Sequence, residues 1–177
     1  IERLSGIVDA FLTHNRDIFM RVDDSVVQVR SGGPTSGTDT SKVLFFRRSR
    51  GYAPEAISLR GPGPEVLGCG ADLKNTFTLT KGSFAVPSQH IGDMENYETL
   101  KFFEECLTNL KQVYRVDPVA IVHDLHPGYL STRWAVEEAA KRSLPLFAIQ
   151  HHYAHIGSVM AEHGLTEKVI GVAFDGT

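Results

Sequence analysis

Cysteine is scarce: the 177 residues hold only Cys69 and Cys106. The two lie far apart without a C-x-x-C spacing, which fits a reducing cytoplasm better than a disulfide-stapled secreted module. No apolar run approaches the roughly 18 residues of a membrane span, and the opening residues lack a signal-peptide core. Nor is there an excess of positive charge. Lys and Arg number 18 against 21 Asp and Glu, a net charge of −3, so there is no electrostatic footprint for nucleic acid. The expectation is a soluble, cytoplasmic chain with neither a membrane nor a nucleic-acid partner. What the chain does contain is ordinary core material, 42% apolar and 22% charged residues, and one unusual enrichment, eight histidines. Ile1 is not an initiator Met, and Asp175-Gly176-Thr177 reads as a turn leading onward. The expectation is therefore an excerpt of a longer protein.

From the start, Leu4, Ile7, Val8, Phe11 and Leu12 predict an amphipathic helix, and Ile18–Arg21 and Ser25–Val29 predict strands. Ser31–Ser41 is Gly-, Pro- and Thr-rich, the profile of an exposed hairpin loop. Val43–Phe46 resumes a strand and runs into Arg47-Arg48-Ser49-Arg50-Gly51-Tyr52-Ala53-Pro54, whose guanidinium groups can grip phosphate, although such a run is more often a solvated surface. Residues 60–65, Arg-Gly-Pro-Gly-Pro-Glu, predict a linker between domains.

Val66–Leu79 predicts a strand, a tight turn and a second strand, with Lys81-Gly82 turning into a third. Small residues at 68, 70 and 71 would let an anion approach the backbone, with Lys74 as a point charge; the bland alternative is a hairpin with an exposed Lys. Asp93 is placed as the cap of a packing helix carrying Met94, Tyr97, Leu100, Phe103, Leu107, Leu110 and Val113. Strand Val119–Val122, helix Ser131–Arg142, strand Leu146–Ile149 and a helix from His152 then alternate, which implies parallel strands covered by helices. Ligands gather at the carboxyl ends of such strands, and Asp124, His126, His151 and Asp175 all fall there.

His151 and His155 are four residues apart, one face of a helix, and Asp175 ends the next apolar run, Val169–Phe174. Two imidazoles and a carboxylate can hold a metal ion with positions left open for substrate. A histidine at a strand end is more often a satisfied hydrogen-bonding residue. A zinc-protease motif is not present, because His152 stands where that motif needs its Glu.

The order of elements matches half of an actin-like, ribonuclease-H-like α/β fold. Several stretches, in order, resemble HypF, the carbamoyltransferase family of nickel–iron hydrogenase maturation. They are Gly70-Ala71-Asp72-Leu73-Lys74-Asn75-Thr76, Ser88–Asp93, Asp124–Thr132, Gln150–His155 and Phe174–Thr177. His14-Asn15-Arg16, Asp23–Val27 and Arg47–Pro54 resemble the end of that family's α+β YrdC-like nucleotide-binding domain. The resemblance divides the chain into residues 1–59, the end of the YrdC-like domain, a linker at 60–65, and residues 66–177, the first lobe of the actin-like domain. It departs from the family at Gly70-Ala71-Asp72, where Gly-Gly-Glu is common; the carboxylate is one methylene shorter, and its reach is the open point.

The resemblance implies an enzyme that activates carbamoyl phosphate with ATP as carbamoyl adenylate. The carbamoyl group then passes to the C-terminal cysteine of the partner HypE. It implies His151, His155 and Asp175 as ligands of iron or zinc, Ser25, Arg48 and Arg50 nearest the nucleotide, with magnesium accompanying ATP, and Lys74 and His126 facing the transfer site. Two alternatives stay open. One is a related transferase acting on a small molecule or tRNA. The other is a non-catalytic nucleotide-binding module with a structural His pair.

Overall fold

A computed structural model describes residues 2–30 and 42–175. The Ser31–Ser41 loop and Gly176-Thr177 therefore lie outside the described residues. The first element is a single 3-10 turn, Glu2–Leu4, in place of the amphipathic helix that the spacing predicts. Ile7 and Leu12 are exposed, so the stripe meets no core, and an isolated short helix gains little without one. Ile18–Arg21 forms no strand. Strand β1, Val26–Arg30, pairs antiparallel with β2, Lys42–Arg47.

The larger sheet holds β3 (Ile57–Gly63), β4 (Val66–Gly68), β5 (Thr78–Pro87), β6 (Ala120–Asp124) and β7 (Leu146–Ile149) in the order β3-β5-β4-β6-β7. Strand β5 pairs antiparallel with β3 and β4, whereas β4, β6 and β7 are parallel. The segment expected as a linker begins inside β3. Its prolines and glycines are tolerated because β3 is an edge strand, where an absent N–H leaves no ladder partner stranded. Lys81-Gly82 does not turn the chain either; β5 runs through it, and Gly82 takes a positive φ of 54°. Residues 69–77, expected as a tight turn, form a longer loop pinned to its neighbours. Asn75 N–H bonds the Gly92 carbonyl, and Ile91 N–H bonds the Asn75 carbonyl.

Helix α1, Tyr97–Tyr114, connects β5 to β6, and α2, Leu130–Arg142, connects β6 to β7. The cap of α1 is Asn96, whose Oδ1 accepts from Thr99 N–H at 2.9 Å. Asp93, expected in that role, instead accepts from Lys74 N–H at 2.7 Å. Phe103, Cys106, Leu107 and Leu110 form the buried stripe of α1. Tyr97 and Val113, expected in the same stripe, are exposed: about 100° of rotation per residue turns Tyr97 well away from it, whereas Val113 lies on the Cys106 side but in the last turn, next to the helix end at Tyr114. In the core, Phe103 meets Phe77 edge-on at 5.1 Å and Trp134 of α2 at 4.9 Å. Leu79, Ile121 and Ala135 close around them.

The β1–β2 unit is tied to this body by named bonds. Gln89 Nε2 donates to the Arg21 carbonyl at 2.6 Å, His90 N–H to the Arg48 carbonyl at 3.1 Å, and Tyr114 hydroxyl to the Pro54 carbonyl at 2.6 Å. The Arg21 guanidinium lies 4.4 Å from the Phe102 ring centre. Helix α3, His151–Glu162, follows β7 directly. Val169–Phe174, expected as a strand, has no ladder partner among the described residues. Its β-branched composition favours extension, but a strand also needs an edge to pair with.

Candidate metal centre

Strands β4, β6 and β7 end on one edge of the sheet, and the chemistry-bearing side chains collect there. Asp124 is the last residue of β6 and its side chain is buried. Its Oδ2 accepts from His151 Nδ1 at 2.6 Å and its Oδ1 from His126 N–H at 2.8 Å. His151 opens α3 because Gln150, the preceding residue, caps the helix by accepting from Tyr153 N–H at 2.9 Å. One helical turn later, His155 presents Nε2 3.2 Å from His151 Nε2. Asp175 Oδ2 completes a triangle, 2.9 Å from His151 Nε2 and 3.1 Å from His155 Nε2.

These spacings fit a metal ion. Ligand bonds of about 2.1 Å place neighbouring donors roughly 2.9–3.4 Å apart across octahedral to tetrahedral angles. The tautomer agrees as well: His151 donates from Nδ1 to Asp124, which leaves the Nε2 lone pair directed at the triangle. The same three residues form the one metal-capable cluster found among the described residues. Electrostatics follow from the contacts. The bond to Asp124, reinforced by that carboxylate's charge and by Asp175, raises the His151 pKa above its ordinary value despite partial burial. The bond from His155, aided by the two imidazoles' charge, holds the Asp175 carboxyl below the usual range.

A cavity of about 600 Å³ opens beside the triangle, between the sheet and α3. Gly68, Gly70, Thr76 and Thr78 line its floor, and Tyr153, Gly157 and Ser158 its helical side, with Asp124, His151 and His155 at one end. Absence of side chains at Gly68 and Gly70 keeps the floor low. Gly70 is required in a second way: its φ is +68°, and a Cβ would stand 2.2 Å from the Thr76 carbonyl oxygen.

Of the residues expected from sequence, His151, His155 and Asp175 come together, but Lys74 and His126 do not line this cavity. Lys74 sits at φ 50° with its backbone N–H on Asp93. The His126 ring stacks on Tyr129 at 4.2 Å, and its Nδ1 accepts from Gly128 N–H. Ser25, Arg48 and Arg50 share one turn elsewhere: Ser25 Oγ donates to the Arg50 carbonyl and accepts from Ser49 N–H. Arg50 reaches the Val22 carbonyl and Asp24, whereas Arg48 bonds the Glu55 carbonyl and keeps Nη1 buried without a partner among the described residues. Asp124 is the residue that pattern reading underused. Its place at a strand end was visible, but its bond to His151 depends on the register of β6 against β7, which pairs Asp124 with Ile149.

Comparison with known proteins is decisive on ancestry. The HypF Kae1-like domain family matches residues 61–162. The chain belongs to the HypF family. It is 47% identical over 175 residues to the carbamoyltransferase HypF2 of Cupriavidus necator, covering 99% of this chain and 21% of that protein. To the carbamoyltransferase HypF of a Synechocystis species it is 46% identical, over 100% of this chain and 22% of the relative. A crystal structure of full-length HypF in a phosphate- and nucleotide-bound form superposes with a TM-score of 0.85 at 45% identity, over 99% of this chain and 26% of that one. The HypF of T. kodakarensis gives 0.75 at 37% identity, over 88% of this chain and 19% of that one. This HypF chain thus spans about a fifth of the length of the curated relatives it matches. Its fold is the α/β class expected, an actin-like, ribonuclease-H-like half-domain behind a smaller β unit. No described helix is long and apolar enough to cross a membrane.

Proposed function

We propose that this chain carries the transfer site of an ATP-dependent carbamoyltransferase, in which a carbamoyl group activated as its adenylate is passed to the C-terminal cysteine thiol of HypE. The observation that carries the reading is the convergence of His151 Nε2, His155 Nε2 and Asp175 Oδ2 beside a cavity at the carboxyl edge of the sheet. Relatives named carbamoyltransferase support it.

Carbamoyl adenylate already has a good leaving group, so the site needs orientation and charge control more than a protein nucleophile. Iron or zinc held by His151, His155 and Asp175 would polarise the acyl carbonyl as a Lewis acid. The chain's own residues do the rest. Asp124 fixes the His151 ring and its tautomer. Sheet and α3 form the two sides of the cavity, and the low floor at Gly68 and Gly70 leaves room for a flat acyl group. Arg48, Ser25 and Arg50, which share one turn of the β1–β2 unit, are the group that would face ATP and its magnesium. Lys74 and His126 enter as anion contacts on the same sheet edge, outside the cavity.

The test is carbamoyl-phosphate-dependent conversion of ATP to AMP and pyrophosphate by the intact protein, with a peptide ending in the HypE cysteine as acceptor. His151→Ala is expected to keep adenylate formation and to lose thiol carbamoylation by roughly 100-fold or more. Undiminished transfer by this variant would remove His151 from the site. If the unsubstituted protein modifies no thiol, the acceptor is a small molecule or RNA.

A further inference from the structure

The N-terminus of α2 lacks a cap of its own. Tyr129 occupies the cap position and makes no side-chain bond there. The missing bonds come from Asp72, in the loop after β4. Asp72 Oδ2 accepts from Leu130 N–H at 3.0 Å, and its Oδ1 from Ser131 N–H and Ser131 Oγ, both at 3.2 Å. The shorter carboxylate at the family's Glu position therefore does reach a target, and the target is the end of a helix. Backbone N–H groups without an intrahelical partner and the positive end of the helix dipole both favour a carboxylate there.

From this helix end the bonds lead to the metal triangle. The next residue, Thr132, is buried and donates from Oγ1 to the Asp124 carbonyl at 3.1 Å. Asp124 in turn holds His151 Nδ1 through Oδ2. The loop bearing Asp72 is itself anchored, because Met94 N–H bonds the Asp72 carbonyl and Lys74 N–H bonds Asp93. We infer that Asp72 is a positioning residue for the metal centre, setting Asp124, and through it His151, by clamping the first turn of α2. It touches neither metal nor substrate. The inference rests on the metal reading above and deepens it.

The test measures Zn(II) affinity of the intact protein by chelator competition, and the visible spectrum of the Co(II) form, in five variants. Asp124→Asn, which removes the carboxylate charge and leaves one acceptor oxygen for both His126 N–H and His151 Nδ1–H, should weaken Zn(II) by about 10- to 100-fold. Asp72→Asn, and Thr132→Val at the other end of the same path, should weaken it by a smaller factor, roughly threefold to tenfold, and alter the Co(II) bands. Asp72→Glu should restore most of the affinity. Asn96→Ala is the control: it removes the cap of α1, which makes no bond to the triangle, and should leave Zn(II) affinity unchanged. Unchanged affinity in both Asp72→Asn and Thr132→Val, beside a loss in Asp124→Asn, overturns the positioning role and leaves the metal site standing. Equal losses in Asn96→Ala and Asp72→Asn also overturn it, as plain destabilisation. If the unsubstituted protein binds neither ion, both readings fall.

Discussion

Asp124 orients the proposed metal ligand His151: its carboxylate accepts from Nδ1, which leaves Nε2 facing His155 and Asp175. Cys69 and Cys106 make a contrasting case at the same scale. Both are fully buried, and desolvation pushes the thiol of Cys69 up to about 12 and that of Cys106 up to about 11. At pH 8 the native protein should therefore react with a thiol reagent far more slowly than the urea-unfolded chain. The sign for stability is equally definite. A thiol whose pKa is raised on folding contributes below the unfolded value of 9.0 and loses that contribution as pH rises above it. Fast labelling of native Cys69 would show that the core opens at β4. The His pair was legible in the sequence because a four-residue spacing on a helix is a local property. Asp124 as its partner was not, since the bond spans 27 residues and depends on strand register.

Helices and strands set where these side chains stand. Helix α1 anchors the core through Phe103, flanked by Phe77 and Trp134, and Phe103→Ala should cost about 3–5 kcal/mol in urea unfolding. Its C-terminus is held from outside: Lys81 Nζ donates to the Tyr114 and Arg115 carbonyls at 2.6 and 2.8 Å. The loop from Gly70 to Asn75 is the other sensitive element. Gly70→Ala should destabilise by at least about 2 kcal/mol, since a Cβ meets both an unfavourable φ and the Thr76 carbonyl. A denaturation midpoint equal to that of the unsubstituted protein would contradict the conformation assigned to this loop. At this scale β7 and α2 were readable from periodicity almost to the residue. The opening helix and the run Val169–Phe174 were not. Propensity there is real, but no core receives the first and no ladder partner meets the second among the described residues.

Across the whole molecule, the β1–β2 unit and the larger sheet meet at His90, Gln89 and Tyr114. Burial lowers the His90 pKa, and Arg47 adds to the shift. A histidine with a depressed folded pKa stays neutral in the native state while the unfolded chain takes up a proton. Its contribution is thus complete above the ordinary value of 6.5 and fades as pH falls below it. Urea midpoints measured from pH 8 to pH 5 should show this acid-side loss, and His90→Gln should flatten it. The family and the fold class were legible because short motifs and element order survive divergence. The continuity of β5 through Lys81-Gly82 and the recruitment of residues 57–63 as an edge strand were not, because both depend on pairing across the sheet.

The central claim is that the intact protein transfers a carbamoyl group at a metal held by His151, His155 and Asp175. Its most direct test is chelation. Metal-stripped protein should still convert ATP to AMP with carbamoyl phosphate, should fail to carbamoylate the acceptor thiol, and should regain transfer when iron or zinc is returned. Stripped protein that transfers at the full rate would contradict the account.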